Sequence, residues 1–227
     1  MTTGEVDGTA APWPPVGAGR HRRTVDAGTP PTGFLREPEP TPDTERLFDD
    51  DRGGVGYVMN LTRLWAHLPA AHDGLNGLMQ QASEAGGLTF RQRGVLISAA
   101  ASTLGDPYCA LAWGTRLAGE VGDDVAAQVL QGDDAGLNAE DRALAAWARR
   151  LTGDPNGTDS GDVQALRDAG FDDGQIFAVT LFVALRVAFS TVNDALGVRP
   201  DRALRASAPA PVRAAVSYGR PSADDER

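Results

Sequence analysis

The sequence contains no lysine: all 21 of its basic residues are arginines. A lysine Schiff base, the phosphate-binding lysine of a Walker loop and a lysine general base are therefore excluded. Cysteine is nearly absent as well. Cys109 is the single one, so no disulfide can form within one chain and no multi-cysteine metal site can be built, while the three histidines at 21, 67 and 72 make no zinc motif. Neither a structural metal nor a bound cofactor is expected. Positive charge is scarce: 31 acidic residues leave a net charge of −10, and the one basic cluster, Arg20, His21, Arg22 and Arg23, lies in a proline-rich arm. A nucleic-acid partner is not expected. Long apolar runs are missing too. The most apolar stretch, residues 176–189, is 14 residues long and contains Arg186, short of the roughly 20 that a bilayer span needs. It reads as a core or subunit-interface helix, with no membrane partner. The residues after the basic cluster form no secretory hydrophobic segment, so a cytoplasmic location is expected.

Glycine and proline are plentiful, and the prolines gather at the ends. Eight of the 15 prolines precede residue 43, which prevents a continuous helix or sheet there. The expected organisation is a disordered arm over 1–43, one domain over 44–205 and a disordered tail over 206–227. Within the domain, apolar residues recur at three and four, so the fold class is all-α. One helical stretch over 57–66 ends at Leu68, and Pro69 opens the next as a first-turn proline, with His67 in the joint. Thr89 with Gln92 forms a capping box ahead of a buried helix over 90–104 that stops at Gly105. Asp106 and Pro107 then read as N-cap and first helical residue, which places Cys109 in a first turn. Further helices fit 123–131, 138–151, 159–169 and 172–196.

The segment Leu88-Thr-Phe-Arg-Gln-Arg-Gly-Val-Leu-Ile-Ser-Ala-Ala-Ala-Ser-Thr-Leu-Gly-Asp-Pro-Tyr-Cys109-Ala-Leu-Ala-Trp-Gly resembles the core of the carboxymuconolactone decarboxylase and alkylhydroperoxidase (AhpD)-like superfamily. Upstream, Gly56-Tyr-Val-Met-Asn60-Leu-Thr-Arg-Leu-Trp-Ala-His67-Leu-Pro69 is similar to that superfamily's N-terminal helices. Downstream, Leu137-Asn-Ala-Glu-Asp-Arg-Ala-Leu, Asp168-Ala-Gly-Phe and Asp194-Ala-Leu-Gly-Val198 resemble its later ones. The resemblance implies an AhpD-like helical bundle that forms homo-oligomers, trimers or hexamers, with a pocket near the cysteine-bearing helix. Peroxidase members carry a Glu, a Cys-x-x-Cys twelve residues on, and a His four residues after the second Cys. Here those positions hold Gly94, Asp106, Cys109 and Trp113, so one of the four chemical groups is kept.

The substitutions oppose thiol chemistry physically. A helix N-terminus ordinarily favours a thiolate, but Asp106 as N-cap uses those N–H donors itself and adds a negative charge beside Cys109. Trp113 donates a hydrogen bond and cannot accept a proton. A disulfide-cycling peroxidase is thereby contradicted. What the resemblance then implies is a non-redox enzyme of lyase or isomerase type acting on a small metabolite. In it His67 and Cys109 are the candidate catalytic residues, and Tyr108, Trp113, Arg186 and Asp106 the candidate substrate-binding ones. Arg186 would meet an anionic substituent, with Ser190 and Asn193 on the same helix face. Two alternatives stand: a non-catalytic ligand-binding or scaffold protein, and a single-cysteine peroxidase. Each candidate also has a plain structural reading, Cys109 and the aromatics as core, Asp106 as a cap, His67 as a surface residue, and Arg186 as an interface pair.

Overall fold

A computed structural model describes residues 33–223; the basic cluster at 20–23 lies outside the described residues. Among those residues the chain forms eleven α-helices, one short 3-10 turn and no strand. In chain order they are α1 Pro42–Gly54, α2 Asn60–Trp65, α3 Pro69–Ala85, α4 Phe90–Leu104, α5 Pro107–Val121 and α6 Asp123–Leu130. There follow α7 Ala139–Gly153, α8 Ser160–Asp168, α9 Asp173–Ala195, α10 Arg202–Ser207 and α11 Ala210–Ala215.

Helix α4 is the central element because both of its faces are apolar or small. Val95, Leu96, Ile97, Ala99 and Ala100 are buried, and α5, α7 and α9 pack around them. Its start is fixed by the expected capping box: Gln92 N–H donates to Thr89 Oγ1 at 3.2 Å and Thr89 N–H donates to Gln92 Oε1 at 2.9 Å. Its end is fixed by Gly105 at φ 74°, a left-handed conformation that costs a residue with Cβ. The chain reverses there directly into α5. Two further glycines let helices approach closely. A Cβ on Gly94 of α4 would sit 3.3 Å from Leu117 Cδ1 of α5, and one on Gly114 of α5 would sit 2.7 Å from Leu130 Cδ1 of α6.

Two boundaries differ from the sequence expectation. Helix α1 begins at Pro42, inside the stretch expected to be disordered, because Thr41 caps it by accepting from Thr44 N–H at 3.1 Å and Pro42 serves as a first-turn residue. Only Thr44, Leu47 and Phe48 of this helix are buried, too few to show as a period. The expected disordered tail is likewise corrected over 206–223. Helix α11 packs against α5 and α6 with Val212 fully buried, and Gly219 lies so close to Gly105 and Pro107 that a Cβ would overlap them. Six residues per helix are too few for apolar spacing to be read, and the burial comes from a surface the rest of the fold provides.

Helix α9 is longer than its apolar run, at 23 residues, and meets the length and hydropathy of a membrane span. It nevertheless buries Ile176, Val179, Phe182, Val183 and Phe189 against α3, α4 and α7, as a core helix does.

Candidate active site

A cleft of about 630 Å³ opens between α3, α4, α5 and α9. Its apolar wall is made by Met79, Leu88, Ile97, Trp113 and Phe182, and its polar edge by Asn76, Gln80, Ser83 and Glu84. Two guanidinium groups, Arg93 and Arg186, enter it. The spacing that builds this lining is helical. Phe182 and Arg186 lie one turn apart on α9, Met79 and Ser83 one turn apart on α3, and Arg93 and Ile97 one turn apart on α4.

Arg186 is the organising residue. Its Nη2 donates to Cys109 Sγ at 3.3 Å and its Nη1 lies 3.9 Å from Met79 Sδ. The guanidinium carbon stands 5.7 Å from the Trp113 ring centre and 5.0 Å from that of Phe189, within the range where a cation is attracted to an aromatic face. Among the described residues no carboxylate pairs with it, and its Nε is buried without a hydrogen bond. Trp113 carries a second cation, Arg116, at 5.2 Å. Burial and the proximity of Arg186 both lower the Arg116 pKa.

Behind Arg186 lies the single thiol. Cys109 is buried at 3% exposure, and Ser190 Oγ donates to its sulfur at 3.5 Å. The cap is as expected: Asp106 Oδ1 accepts from Tyr108 N–H at 2.8 Å and Cys109 N–H at 3.0 Å. Asp106 is fully buried and its Oδ2 has no partner. Burial, followed by the Asp106 charge, pushes the Cys109 thiol up to about 12 against the opposing pull of Arg186 and Ser190. The electrostatic argument from sequence named Asp106 correctly and missed the larger cause, desolvation, together with the compensating guanidinium.

The structure therefore brings Arg186, Trp113 and Cys109 together, with Asp106 beneath them. It separates the other two candidates from the cleft. His67 is exposed at the α2–α3 joint, where its Nε2 lies 3.0 Å from the carbonyl oxygen of Arg36. It lines a small surface recess with Leu35, Arg63 and Val198 and reaches neither Cys109 nor Arg186. Tyr108 points to the opposite side of α5. Its hydroxyl donates to Asp201, whose other oxygen accepts from Asn60 N–H at 3.0 Å, and its ring packs with Leu64 and Val198. Of the polar patch expected around Arg186, Ser190 joins the sulfur, whereas Asn193 Oδ1 accepts from Trp65 Nε1 at 2.8 Å. Sequence reasoning missed Arg93, Met79 and Phe182. The one-turn spacing of Phe182 to Arg186 was the signal available.

No protein-family profile and no curated protein matches this sequence. Solved structures do match its fold. An uncharacterized peroxidase-related protein with an alkylhydroperoxidase AhpD core, from Ralstonia eutropha JMP134, superposes with a TM-score of 0.67 at 21% identity, over 78% of this chain and 96% of that one. An uncharacterized peroxidase-related protein from Silicibacter sp. TM1040 gives 0.65 at 17% identity, over 78% and 95%. The debrominase Bmp8 gives 0.61 at 16% identity, over 73% and 90%. A cysteine-to-alanine variant of that debrominase, in complex with 2,3,4-tribromopyrrole, aligns at 17% identity. The all-α fold of this chain is AhpD-like.

Proposed function

We propose that the cleft takes a small organic anion with a flat, unsaturated skeleton and that the protein acts on it as a lyase or isomerase, without thiol redox cycling. The observation that carries this reading is Arg186. It is a half-buried guanidinium whose partners among the described residues are sulfur atoms and aromatic rings, none of which neutralises its charge. A ligand carboxylate supplies the missing counter-charge. Trp113 offers a flat apolar surface beside it. A fixed cation at this point also stabilises negative charge that develops on the ligand as a bond to carbon breaks or a proton leaves. Cys109 stays protonated behind the guanidinium and acts as a hydrogen-bond partner of Arg186 rather than as a nucleophile. The debrominase variant's complex with a tribromopyrrole supports a flat ring as the ligand shape.

The test is a titration with a panel of aromatic and unsaturated carboxylates, followed by heat or line broadening, with mass spectrometry of the recovered ligand. Arg186→Met is expected to weaken binding by about a hundredfold, the scale of a lost charged hydrogen bond. A panel that does not bind, or binds Arg186→Met equally well, overturns the proposal. One observation favours a second reading, a ligand-binding protein without turnover. The cleft lining contains no histidine or cysteine, and its one carboxylate, Glu84, is exposed and accepts from Gln80 Nε2 at 2.9 Å. Ligand that binds through Arg186 and is recovered unchanged selects that reading.

A further inference from the structure

The cleft has two sides of opposite hydrogen-bonding character. From α4 and α9 it receives Arg93 and Arg186, and a guanidinium donates hydrogen bonds but accepts none. From α3 it receives Gln80, Ser83 and Glu84, which steps of three and four residues set on one face of that helix. Gln80 Nε2 donates to Glu84 Oε1 at 2.9 Å. A carboxylate only accepts, so this contact fixes the amide's orientation and leaves Gln80 Oε1 and Glu84 Oε2 as acceptors. Ser83 is only 6% exposed, lines the cleft, and its hydroxyl makes no hydrogen bond within the chain among the described residues. Among the same residues Glu84 pairs with no cation, although two guanidinium groups line the same cleft. Arg93 is held over the Phe90 ring instead, 5.5 Å from its centre. A cation on one side and an anion on the other thus share one space without neutralising each other.

We propose that the ligand is an amino-carboxylate, a flat molecule whose carboxylate goes to Arg186 and whose protonated amine goes to Glu84, with Ser83 and Gln80 beside it on α3. The inference rests on the reading of Arg186 given above and adds a second pole to it. An ammonium carries three N–H donors, as many as the acceptors that Glu84, Ser83 and Gln80 have left over. A ligand with a carboxylate alone leaves the Glu84 charge and the buried Ser83 hydroxyl without a partner, and a polar group left unmet on binding costs free energy. A second carboxylate at this rim would meet the like charge of Glu84. The Arg186 pole therefore supplies affinity for carboxylates in general, and the Glu84 pole chooses among them.

The experiment is calorimetric titration of the full chain with the ortho, meta and para isomers of aminomethylbenzoate, each beside the methylbenzoate of the same pattern. An alkyl amine is protonated at neutral pH, so the members of a pair differ by one ammonium group on the same flat carboxylate. At least one aminomethyl isomer is expected to bind about tenfold tighter than its methyl counterpart, the low end for a hydrogen bond between charged groups. Glu84→Gln, an exposed substitution whose fold is checked by circular dichroism, is expected to erase that difference. Arg186→Met is expected to weaken both members and to keep it. A wild-type chain that binds the two members of every pair equally, or a preference that survives Glu84→Gln, overturns the amino-carboxylate and leaves the reading of Arg186 standing. So does a hydroxymethylbenzoate that binds as tightly as its aminomethyl analogue, which assigns the rim to a neutral donor. If neither series binds, or Arg186→Met binds both as well as the wild type does, the reading of Arg186 fails and this inference falls with it.

Discussion

Alkylation of Cys109 measures the site's electrostatics directly. The thiolate is the reactive form, and the thiol lies at about 12 instead of an ordinary 9.0. At any pH below 9 the thiolate fraction is therefore about a thousandfold smaller than that of an unperturbed cysteine, and the alkylation rate falls with it before any steric shielding is counted. The rate should climb with pH without a plateau through the alkaline range. Asp106→Asn keeps the cap acceptor and removes the second cause of the shift, so it should speed alkylation while leaving it slow, because burial is the first cause. Stability carries the same signature with a definite sign. The folded pKa is above the unfolded one, so the contribution is complete below about pH 9 and is lost as pH rises toward about 12, at about 1.4 kcal/mol per pH unit and about 4 kcal/mol in all. Tyr57 and Tyr218 are raised by burial as well and act in the same direction, so Cys109→Ala, which removes only the thiol part, isolates it. Denaturant unfolding across that range and iodoacetamide kinetics are the assays. A wild-type thiol that alkylates as fast as a small free thiol, or that gives a trappable sulfenate on mixing with an organic hydroperoxide, refutes the reasoning and revives the single-cysteine peroxidase.

Three further outcomes can be measured. Gly114→Ala drives a methyl to within 2.7 Å of Leu130 and 3.1 Å of Val212, which should cost about 1–3 kcal/mol in urea unfolding and release α11 from α5 and α6. Tyr108→Phe leaves the acceptor oxygen of the buried Asp201 unpaired and should lower stability by about 1–3 kcal/mol, without changing ligand binding if the cleft is the site. Asp194 is raised to about 7, by burial first and then by the Asp106 charge. Its folded carboxyl therefore holds a proton that the unfolded one has released, and stability falls as pH rises from about 4 to about 7. Asp194→Asn should flatten that part of the profile in thermal melts.

Local signals read well from the sequence where one residue decides a boundary. The Thr89–Gln92 box, the left-handed Gly105 and the Asp106–Pro107 start were all legible, because capping is a short-range affair. Together they place Cys109 in its first turn. The cleft was only half legible. Arg186 stood out as a charge in an apolar run and Trp113 by its place in the motif, yet nothing local told that Tyr108, one residue before the cysteine, faces the other way, toward Asp201. Sequence neighbours on a helix are about 100° apart, so adjacency to Cys109 was no evidence of sharing its pocket. His67 failed for another reason. A histidine at a helix joint is placed by tertiary packing, and here the segment around Arg36 takes its ring nitrogen. The terminal helices were hidden because α1, α10 and α11 bury few residues each, and their stability comes from surfaces that other elements supply.

The contact between Gly94 and Leu117 gives this scaffold a direction in sequence space. A Cβ added to α4 at residue 94 would stand 3.3 Å from Leu117 Cδ1 and 3.4 Å from its Cβ, so the leucine must yield by a few tenths of an ångström to admit even a methyl group, and space has to be opened at 117 before 94 can carry a longer side chain.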